Sequence, residues 1–348
     1  MNKKIFVLTI SFAVLVLSSC NSNPVDPPII PEIQPGRRDY EWTEYKLLAQ
    51  PNETIMLSSI WGATPNDIWA VGPASLSQYG IWHFDGTTWK NGNSTPTFAQ
   101  FSLWGSTADD IWMANTDGIL WHNNGTEWVY NTRLQVNRYQ NFAINMLWGI
   151  SSNEIYAAGY AYNSYFNEAP IGGIFKFDGN SWKQIPLPKV YLNFTSIRKA
   201  KNGDFLLRVW DDSTSETKIM VWNGKEFRQL FSRKGIASIG VFNINDKTLF
   251  NIDQVVDSYE DDGTYKVWKD FTGTDYYSLI LCSRNEKDFF VSSKYFNGIE
   301  HYNGIDLQLI YPTDLMIRSG FVLERDVFFI LLDNKNRQTI MLHGHLKN

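Results

Sequence analysis

The chain has 348 residues, of which 36 are acidic and 31 are basic, and its formal net charge is −5. This balance supplies no basic field for nucleic acid or for an anionic membrane surface, so we expect no nucleic-acid partner. Aromatic residues make up 15% of the chain, 14 residues are Trp and only 19% are charged, a composition that excludes a disordered protein.

The N-terminus has the features of an export signal. Lys3 and Lys4 precede an apolar run over residues 5–17, and the run ends in the sequence L-S-S-C at residues 17–20. A membrane-spanning helix needs about 20 apolar residues, whereas a signal peptide has a shorter apolar region after a basic start. The segment therefore predicts export rather than a membrane span.

The basic start, the apolar run and L-S-S-C together resemble the signal and lipobox of bacterial lipoproteins. The resemblance implies that residues 1–19 are a lipoprotein signal peptide and that Cys20 becomes the first mature residue and carries the lipid. It also implies a membrane-anchored protein of the bacterial cell envelope, because a lipid-modified thiol and an acylated amino group exceed the two signals that stable attachment needs. The alternative is an ordinary secretory signal followed by a chance cysteine.

Residues 20–39 are rich in proline. Proline has no backbone N–H for a β-ladder and favours an extended chain, and the segment has little apolar surface to bury. We predict that it is a tether between the lipid and a folded domain over residues 40–348. The prolines are Pro24, Pro27, Pro28, Pro31 and Pro35.

The folded part is built from a repeat. Residues 60–89, 103–128 and 147–182 each open with W-G, continue with an acidic residue, Ile and an aromatic residue, and end in D-G-x-x-W or N-G-x-x-W. Each copy reads as four short strands, A to D, separated by polar turns. Weaker copies follow, so that repeats begin at residues 60, 103, 147, 197, 239, 279 and about 321.

A period of roughly 45 residues with four strands per unit is the signature of a propeller blade. We therefore predict an all-β fold, a seven-bladed β-propeller of four-stranded antiparallel blades, with six or eight blades as alternatives. The seventh repeat lacks strand D, and residues 41–47 look like an orphan strand D in which Trp42 matches Trp89, Trp128 and Trp182. We predict that this N-terminal strand completes the last blade and removes its free edge.

The repeated residues are interpreted as scaffold. Ten of the 14 Trp residues fall at repeat positions of the three best copies, where large rings fill the wedge between blades. The acidic residues before strand B occupy equivalent positions. They are interpreted as structural groups whose carboxylates accept hydrogen bonds from backbone N–H groups of the local turn. They are Asp67, Asp110 and Glu154.

The histidines do not predict a metal centre. His83, His122 and His301 occupy equivalent positions on different blades and are therefore separated in space. His343 and His345 share one face of a strand and would need a third ligand, which the sequence pattern does not supply. We predict no metal site and no cofactor.

The sequences D-G-T-T-W at 85–89, N-G-T-E-W at 124–128 and D-G-N-S-W at 178–182 resemble the end of the Asp-box, S-x-D-x-G-x-T-W. That hairpin occurs in sialidase-like and photosystem-assembly propellers, and the whole unit resembles the repeats of bacterial propeller lipoproteins. The resemblance implies that these turns are structural and carry no activity. The F/Y-R-I-P-like segment of sialidases is missing from the sequence and no arginine spacing singles out their triad, which speaks against sialidase activity.

Function is expected on the face that carries the B–C and D–A loops, because these loops vary in length while the A–B and C–D turns are nearly constant. Tyr, Asn and Arg in such loops suit a protein or glycan ligand of the cell envelope. The alternative is that the long loops pack across the central channel. The candidate ligand-binding residues are Arg133, Arg138, Tyr139, Tyr160, Tyr162, Tyr165, Phe166, Tyr191, Tyr276 and Tyr277.

A carbohydrate-active enzyme with paired carboxylates on the same face is the second hypothesis, because two acids held about 5–10 Å apart perform glycosidic chemistry. The candidate acids are Glu168, Asp211, Asp212 and Asp275. The adjacent Asp211 and Asp212 look more like solvated loop charges, so we expect a binding or scaffolding module rather than an enzyme.

The lipoprotein interpretation predicts that Cys20→Ala releases the protein from membranes, because the substitution removes the thiol that would carry the lipid. The measurement is membrane fractionation of cells expressing the wild-type chain and the variant, with Cys282→Ala as the matched control. Membrane-bound Cys20→Ala protein would show that the interpretation is wrong.

Overall fold

The computed structural model describes residues 34–48, 53–91, 100–163, 168–235, 239–293 and 297–348. Within these ranges the chain forms 28 β-strands and one 3-10 helix, Ser77–Gly80, so the predicted all-β class is confirmed. No helix of the described ranges is long and apolar enough to cross a membrane. The predicted signal peptide and Cys20 lie outside the described residues.

The strands form seven four-stranded antiparallel sheets. The first strand in the chain, β1 (Tyr40–Lys46), belongs to the last sheet. Blade 1 contains β2 (Ser59–Thr64), β3 (Asp67–Val71), β4 (Ile81–Phe84) and β5 (Trp89–Asn91). Blade 2 contains β6 (Gln100–Thr107), β7 (Asp110–Asn115), β8 (Ile119–Asn123) and β9 (Trp128–Arg133). Blade 3 contains β10 (Asn141–Ser151), β11 (Glu154–Tyr162), β12 (Ile171–Phe177) and β13 (Trp182–Gln184).

The remaining blades follow the same order. Blade 4 contains β14 (Asn193–Lys199), β15 (Phe205–Asp211), β16 (Glu216–Trp222) and β17 (Phe227–Lys234). Blade 5 contains β18 (Ile239–Ile244), β19 (Lys247–Ile252), β20 (Val255–Tyr259) and β21 (Tyr265–Asp270). Blade 6 contains β22 (Tyr276–Asn285), β23 (Asp288–Ser293), β24 (Gly298–Tyr302) and β25 (Leu307–Pro312). Blade 7 contains β26 (Met316–Val322), β27 (Asp326–Asp333), β28 (Gln338–Leu346) and β1.

The first strands of the blades form a closed ring. Each contacts the first strand of the next blade, and β2 contacts β26. The cores lie between blades: Val71 of blade 1 and Ile111 of blade 2 belong to one cluster, and Phe84 of blade 1 packs on Phe328 of blade 7. Burying each such side chain contributes about 1.5–3 kcal/mol, so the ring is stabilised by contacts between neighbouring blades. The prediction of seven blades is confirmed.

The repeated W-G sequence is a contact between neighbouring blades. A Cβ atom at Gly105 of blade 2 would lie 2.9 Å from the Trp61 ring of blade 1. A Cβ atom at Gly149 of blade 3 would lie 2.6 Å from the Trp104 ring of blade 2. Glycine is required because each ring lies directly on the backbone of the next inner strand.

The N-terminal strand completes blade 7, as the sequence predicts. Strand β1 pairs antiparallel with β28 from Tyr40 opposite Leu346 to Lys46 opposite Ile340, and Trp42 lies opposite Gly344. A Cβ atom at Gly344 would lie 2.5 Å from the Trp42 ring, so glycine leaves room for the indole. The two chain ends therefore close the ring within one sheet.

The residues before β1 lie against blade 6. The Gly36 N–H donates to the carbonyl oxygens of Lys287 and Asn303, at 3.2 and 3.3 Å. Arg38 donates to the carbonyl oxygen of His301 at 2.9 Å and forms an ion pair of 2.8 Å with Asp306. The end of the predicted tether over residues 20–39 is thus part of the compact unit, which begins at Gln34.

The acidic residue before strand B joins two strands of its blade. Asp67 Oδ1 accepts hydrogen bonds from Trp69 Nε1 at 3.0 Å and from His83 Nε2 at 2.7 Å. The His83 ring also stacks on Trp69, with 4.2 Å between centroids. The acid is structural, as predicted, but its described partners are side chains of strands B and C rather than turn N–H groups.

The same arrangement recurs in blade 2. Asp110 Oδ1 accepts from Trp112 Nε1 and His122 Nε2, both at 2.8 Å, and Oδ2 accepts from Ser106 Oγ at 2.6 Å. Burial raises the pKa of Asp110, but hydrogen bonds, above all those from His122, Ser106 and Trp112, outweigh burial and hold it at about 2. The folded state therefore favours the ionised carboxylate.

Other blades vary the partners. Glu154 of blade 3 accepts from the Tyr156 hydroxyl at 2.5 Å and from Lys199 Nζ at 2.6 Å. The Asp–His pair returns in blade 6 as Asp288 and His301, with 2.8 Å between the paired atoms. These contacts explain why His83, His122 and His301 recur, since each serves its own blade.

We expect Trp42→Ala to lower the free energy of unfolding by about 2 kcal/mol, because a partly buried indole is lost from the closing blade. The measurement is urea unfolding. Thr43→Ala, an exposed position on the same strand, is the control and should change stability by less than about 0.5 kcal/mol. Equal losses in the two variants would contradict the role of Trp42 in closure.

We expect Asp110→Asn to lower the free energy of unfolding by about 2 kcal/mol at neutral pH. The pKa of Asp110 is depressed in the folded state, from 3.8 to about 2, so its contribution is complete above pH 3.8 and disappears as the pH falls through about 2. Unfolding measured across this range should show the two proteins converging in acid. Exposed Asp109→Asn is the control, and a constant difference at every pH would contradict the assignment.

Candidate functional site

The B–C and D–A loops meet beside blade 3. The connection from blade 2 to blade 3 covers residues 134–140, and Asn163 begins the B–C loop of blade 3. The Gln140 N–H donates to Asn163 Oδ1 at 2.8 Å, and Asn163 Nδ2 donates to the Arg138 carbonyl at 3.4 Å and to Glu168 Oε2 at 3.2 Å. The side-chain amide of Asn163 therefore links Arg138 and Gln140 of one loop to Glu168 of the other.

Arg138 has a constrained backbone and an exposed side chain. Its φ of 74° lies in the left-handed region, which costs a non-glycine residue of the order of 1 kcal/mol. Arg133 is exposed as well, but its Nε donates to the Asp117 carbonyl at 2.9 Å and its Nη2 to Asn141 Oδ1 at 3.3 Å. Of the two predicted arginines, Arg138 thus extends from the loop toward solvent. Arg133 instead joins Asp117 to Asn141 through its hydrogen bonds.

Tyr160 and Tyr162 lie half-buried at the end of β11, with their ring centroids 5.6 Å apart. Burial raises the pKa of Tyr160, and the charges of Tyr162 and Asp212 add to the rise. Trp210 Nε1 donates to Asp212 Oδ1 at 2.7 Å. Trp210 lies in a degenerate repeat, so the repeat pattern does not identify it as a site residue. The signal in the sequence that marks Trp210 is its position outside the repeated Trp pattern.

Tyr191 is exposed on the connection from blade 3 to blade 4. Its side chain is 54% exposed, and Lys189 Nζ lies 5.0 Å from its ring centroid. A hydrogen bond with Tyr191 raises the pKa of Lys189, and the nearby Tyr139 adds to the rise. We call the group Arg138, Tyr160, Tyr162, Lys189 and Tyr191 the blade 3 surface.

Two predicted ligand-binding tyrosines belong to the core instead. Tyr139 is 5% exposed and packs in the cluster that contains Phe142, and Tyr276 is 0% exposed with its ring 4.8 Å from that of Phe271. Both lie where a D–A connection meets an inner strand, so their rings fill the space beneath the loop. Tyr165 and Phe166 lie outside the described residues, as does the side chain of Tyr277.

Three of the four candidate acids are engaged by neighbouring donor groups. Asp211 Oδ2 lies 2.7 Å from Lys218 Nζ, and although burial raises the pKa of Asp211, hydrogen bonds from Lys218 and Ser213 hold it at about 2. A general acid in glycoside hydrolysis needs a raised pKa. Asp212 and Glu168 accept the hydrogen bonds of Trp210 and Asn163 described above.

Glu300 is a buried carboxyl group with a raised pKa, and no repeat or motif in the sequence marks it. Burial and the charge of Asp275 raise the pKa of Glu300 to about 7. Glu300 is 3% exposed and lies on the third strand of blade 6, away from the channel-lining strands. Glu300 is therefore enclosed within its blade, whereas Asp275 is exposed on the connection that precedes β22.

A histidine cluster lies at the end of blade 7. His343 Nε2 and His345 Nδ1 lie 2.7 and 2.9 Å from Asp326 Oδ1. The sequence analysis found no third ligand because Asp326 precedes the two histidines by a whole strand, and only the pairing of β27 with β28 brings it opposite His345. One ligand atom from each residue lies within 4.8 Å of the others, a separation that fits a single metal ion.

No protein-family model matches the sequence, and no curated protein matches it. Solved structures do resemble the fold. YCF48 bound to D1 peptide has 11% sequence identity and a TM-score of 0.59, and the match covers 91% of this chain and 98% of that one. YCF48 from Cyanidioschyzon merolae has 13% identity and a TM-score of 0.57, covering 87% and 98%.

Virginiamycin B lyase from Staphylococcus aureus has 12% identity and a TM-score of 0.53, covering 88% of this chain and 100% of that one. The neighbours include a binding protein and a lyase, so at these identities the likeness shows the propeller fold alone.

Proposed function

We propose that the chain is a lipid-anchored binding module of the bacterial cell envelope that holds a segment of another protein on the blade 3 surface. The observation that carries the proposal is the Asn163 network, which links Arg138 and Gln140 to Asn163 beside exposed aromatic and cationic groups. A surface ordered before binding loses little conformational entropy when a ligand arrives. The repeated Trp, His and Asp residues, in contrast, are used within the scaffold.

The chemistry of the blade 3 surface suits an extended polypeptide. Tyrosine offers a flat ring and a hydroxyl group at low entropic cost, which favours contact with peptide groups. Lys189 lies over the Tyr191 ring and the exposed Arg138 adds a second cationic group, although the chain as a whole has a net charge of −5. We infer a preference for segments that carry carboxylate side chains or a terminal carboxylate.

One structural neighbour supports this class of ligand. The structure of YCF48 contains a bound D1 peptide, so a propeller of this form accommodates a polypeptide segment. The fold alone assigns no ligand, because propellers host many functions. The proposal therefore depends on the residues of the blade 3 surface and not on the likeness.

The position of the N-terminal segment fits an anchor on the opposite side. Gly36 and Arg38 contact the A–B and C–D turns of blade 6, at Lys287, Asn303 and Asp306. The blade 3 surface belongs to the B–C and D–A loops, which lie at the other face of the disc. The described residues nearest to Cys20 in sequence thus lie at the face opposite the blade 3 surface.

A glycan is the second candidate ligand, because the half-exposed ring pair of Tyr160 and Tyr162 offers a flat surface with hydroxyl groups. Direct binding separates the two ligands. Envelope proteins captured by the propeller and isolated peptidoglycan or capsular polysaccharide are each measured alone, and competition follows. Binding of glycan but of no purified protein would replace the protein-binding proposal.

We expect Tyr162→Ala combined with Tyr191→Ala to weaken binding of a purified captured protein at least about tenfold, because two aromatic contacts of about 1 kcal/mol each are lost. Surface plasmon resonance measures the affinity. The matched control is Tyr130→Ala combined with Tyr265→Ala. These tyrosines are 52% and 46% exposed but lie on the outermost strands of blades 2 and 5.

Circular dichroism and thermal unfolding show that each variant is folded before binding is compared. Unchanged binding by the Tyr162 and Tyr191 variant would remove the blade 3 surface as the binding site. An equal loss in the Tyr130 and Tyr265 variant would show that the effect is not specific to this face.

A further inference from the structure

We propose that Asp326, His343 and His345 form a zinc site that clamps the closing blade of the propeller. The two imidazoles and the carboxylate are the ligand types that Zn²⁺ prefers, and three protein ligands with one open position form a recurring zinc geometry. Asp326 lies on β27 and both histidines lie on β28. A bound ion would join β28, which pairs with the N-terminal strand β1, to the next strand of the sheet, β27.

The distances from Asp326 Oδ1 to the two histidine nitrogens need only a small change to accommodate a zinc ion. His343 Nε2 and His345 Nδ1 lie 2.7 and 2.9 Å from Asp326 Oδ1. Ligands of a tetrahedral zinc ion at about 2.0–2.1 Å are about 3.3 Å apart, so each histidine nitrogen needs to move away from Asp326 Oδ1 by roughly half an ångström. Rotation of the Asp326 carboxylate, which also offers its second oxygen, supplies this change. The ligand atoms of the three residues all lie within 4.8 Å of one another.

Comparison with the other blades distinguishes this cluster from the scaffold pairs. The carboxylates of blades 1, 2 and 6 accept one hydrogen bond from a histidine and another from Trp69, Trp112 or Arg284. An indole N–H and a guanidinium group donate but have no lone pair for a metal ion. Among the described residues, blade 7 alone supplies a second imidazole in this role.

The indole position leaves room for a second imidazole at the carboxylate of blade 7. Where blades 1 and 2 have Trp69 and Trp112, blade 7 has Phe328, whose ring stacks on His343 with 4.2 Å between centroids. Phenylalanine keeps the stacking contact but provides no N–H for Asp326. His345 takes that place at the carboxylate, and an imidazole presents a lone pair to a metal ion once its nitrogen is deprotonated.

The cluster is ordered on one side and accessible on the other. The side chains of Asp326 and His343 are 6% and 17% exposed, whereas that of His345 is 48% exposed. An ion therefore reaches the cluster from solvent and binds against two groups held by packing. Glu41 lies directly opposite His345 on β1, so its carboxylate is on the same face of the sheet and is the nearest candidate for a fourth ligand by register.

The test is calorimetric titration of the mature protein with Zn²⁺, using protein purified without a histidine tag and treated with EDTA. We expect one equivalent of zinc to bind, and His345→Ala to weaken binding at least about tenfold, because removing even an outer-shell partner of a metal site costs this much. Zinc should also raise the thermal unfolding midpoint of the wild-type protein but not that of the variant, because binding to the folded state stabilises it.

His122→Ala is the matched control, because it removes the equivalent scaffold histidine from blade 2 and should leave zinc binding unchanged. His345→Gln is the second variant, since its amide still donates to Asp326 but is a poor zinc ligand. No binding of zinc by the wild-type protein would overturn the proposal. So would unchanged affinity in both His345 variants, or an equal loss in His122→Ala.

Discussion

The structure depends on the pairing of β1 with β28, because this pairing of the two chain ends completes the last blade of the ring. Each core lies between two blades, so an unclosed ring would leave apolar faces of blades 7 and 1 exposed at the ends. Closure brings Phe84 against Phe328 and seats Trp42 on Gly344. Residues at opposite ends of the chain thereby determine whether the other cores persist.

Within this ring, a carboxylate before strand B joins neighbouring strands of a blade. One oxygen of Asp67 or Asp110 receives both an indole N–H and an imidazole, so the second and third strands are fixed by side chains as well as by the backbone ladder. The residue types that suggest catalysis in a sequence, Asp, His and Trp, are used for this purpose. The proposed zinc site is a variation of the same device, with a second imidazole at Asp326.

The described N-terminal segment and the blade 3 surface lie at opposite faces of the propeller. The N-terminal segment contacts the turns of blade 6 through Gly36 and Arg38, whereas the blade 3 surface is built from loops of the opposite face. The contacts of Gly36 and Arg38 therefore leave the loops of the blade 3 surface uncovered. The constancy of one set of turns and the variation of the other have the same cause, since the short turns hold the scaffold and the long loops are free to differ.

The sequence by itself determined the all-β class, the seven blades and the closing role of β1, because a repeat period and an alternating strand pattern are local properties of the chain. It also identified Tyr160, Tyr162 and Tyr191 as surface candidates. Only the tertiary structure decided that Tyr139 and Tyr276 are buried, that Trp210 joins Asp212, and that Asp326 meets His343 and His345. These outcomes depend on which strands lie side by side and how deeply each loop packs, and neither is encoded in the spacing of residues along the chain.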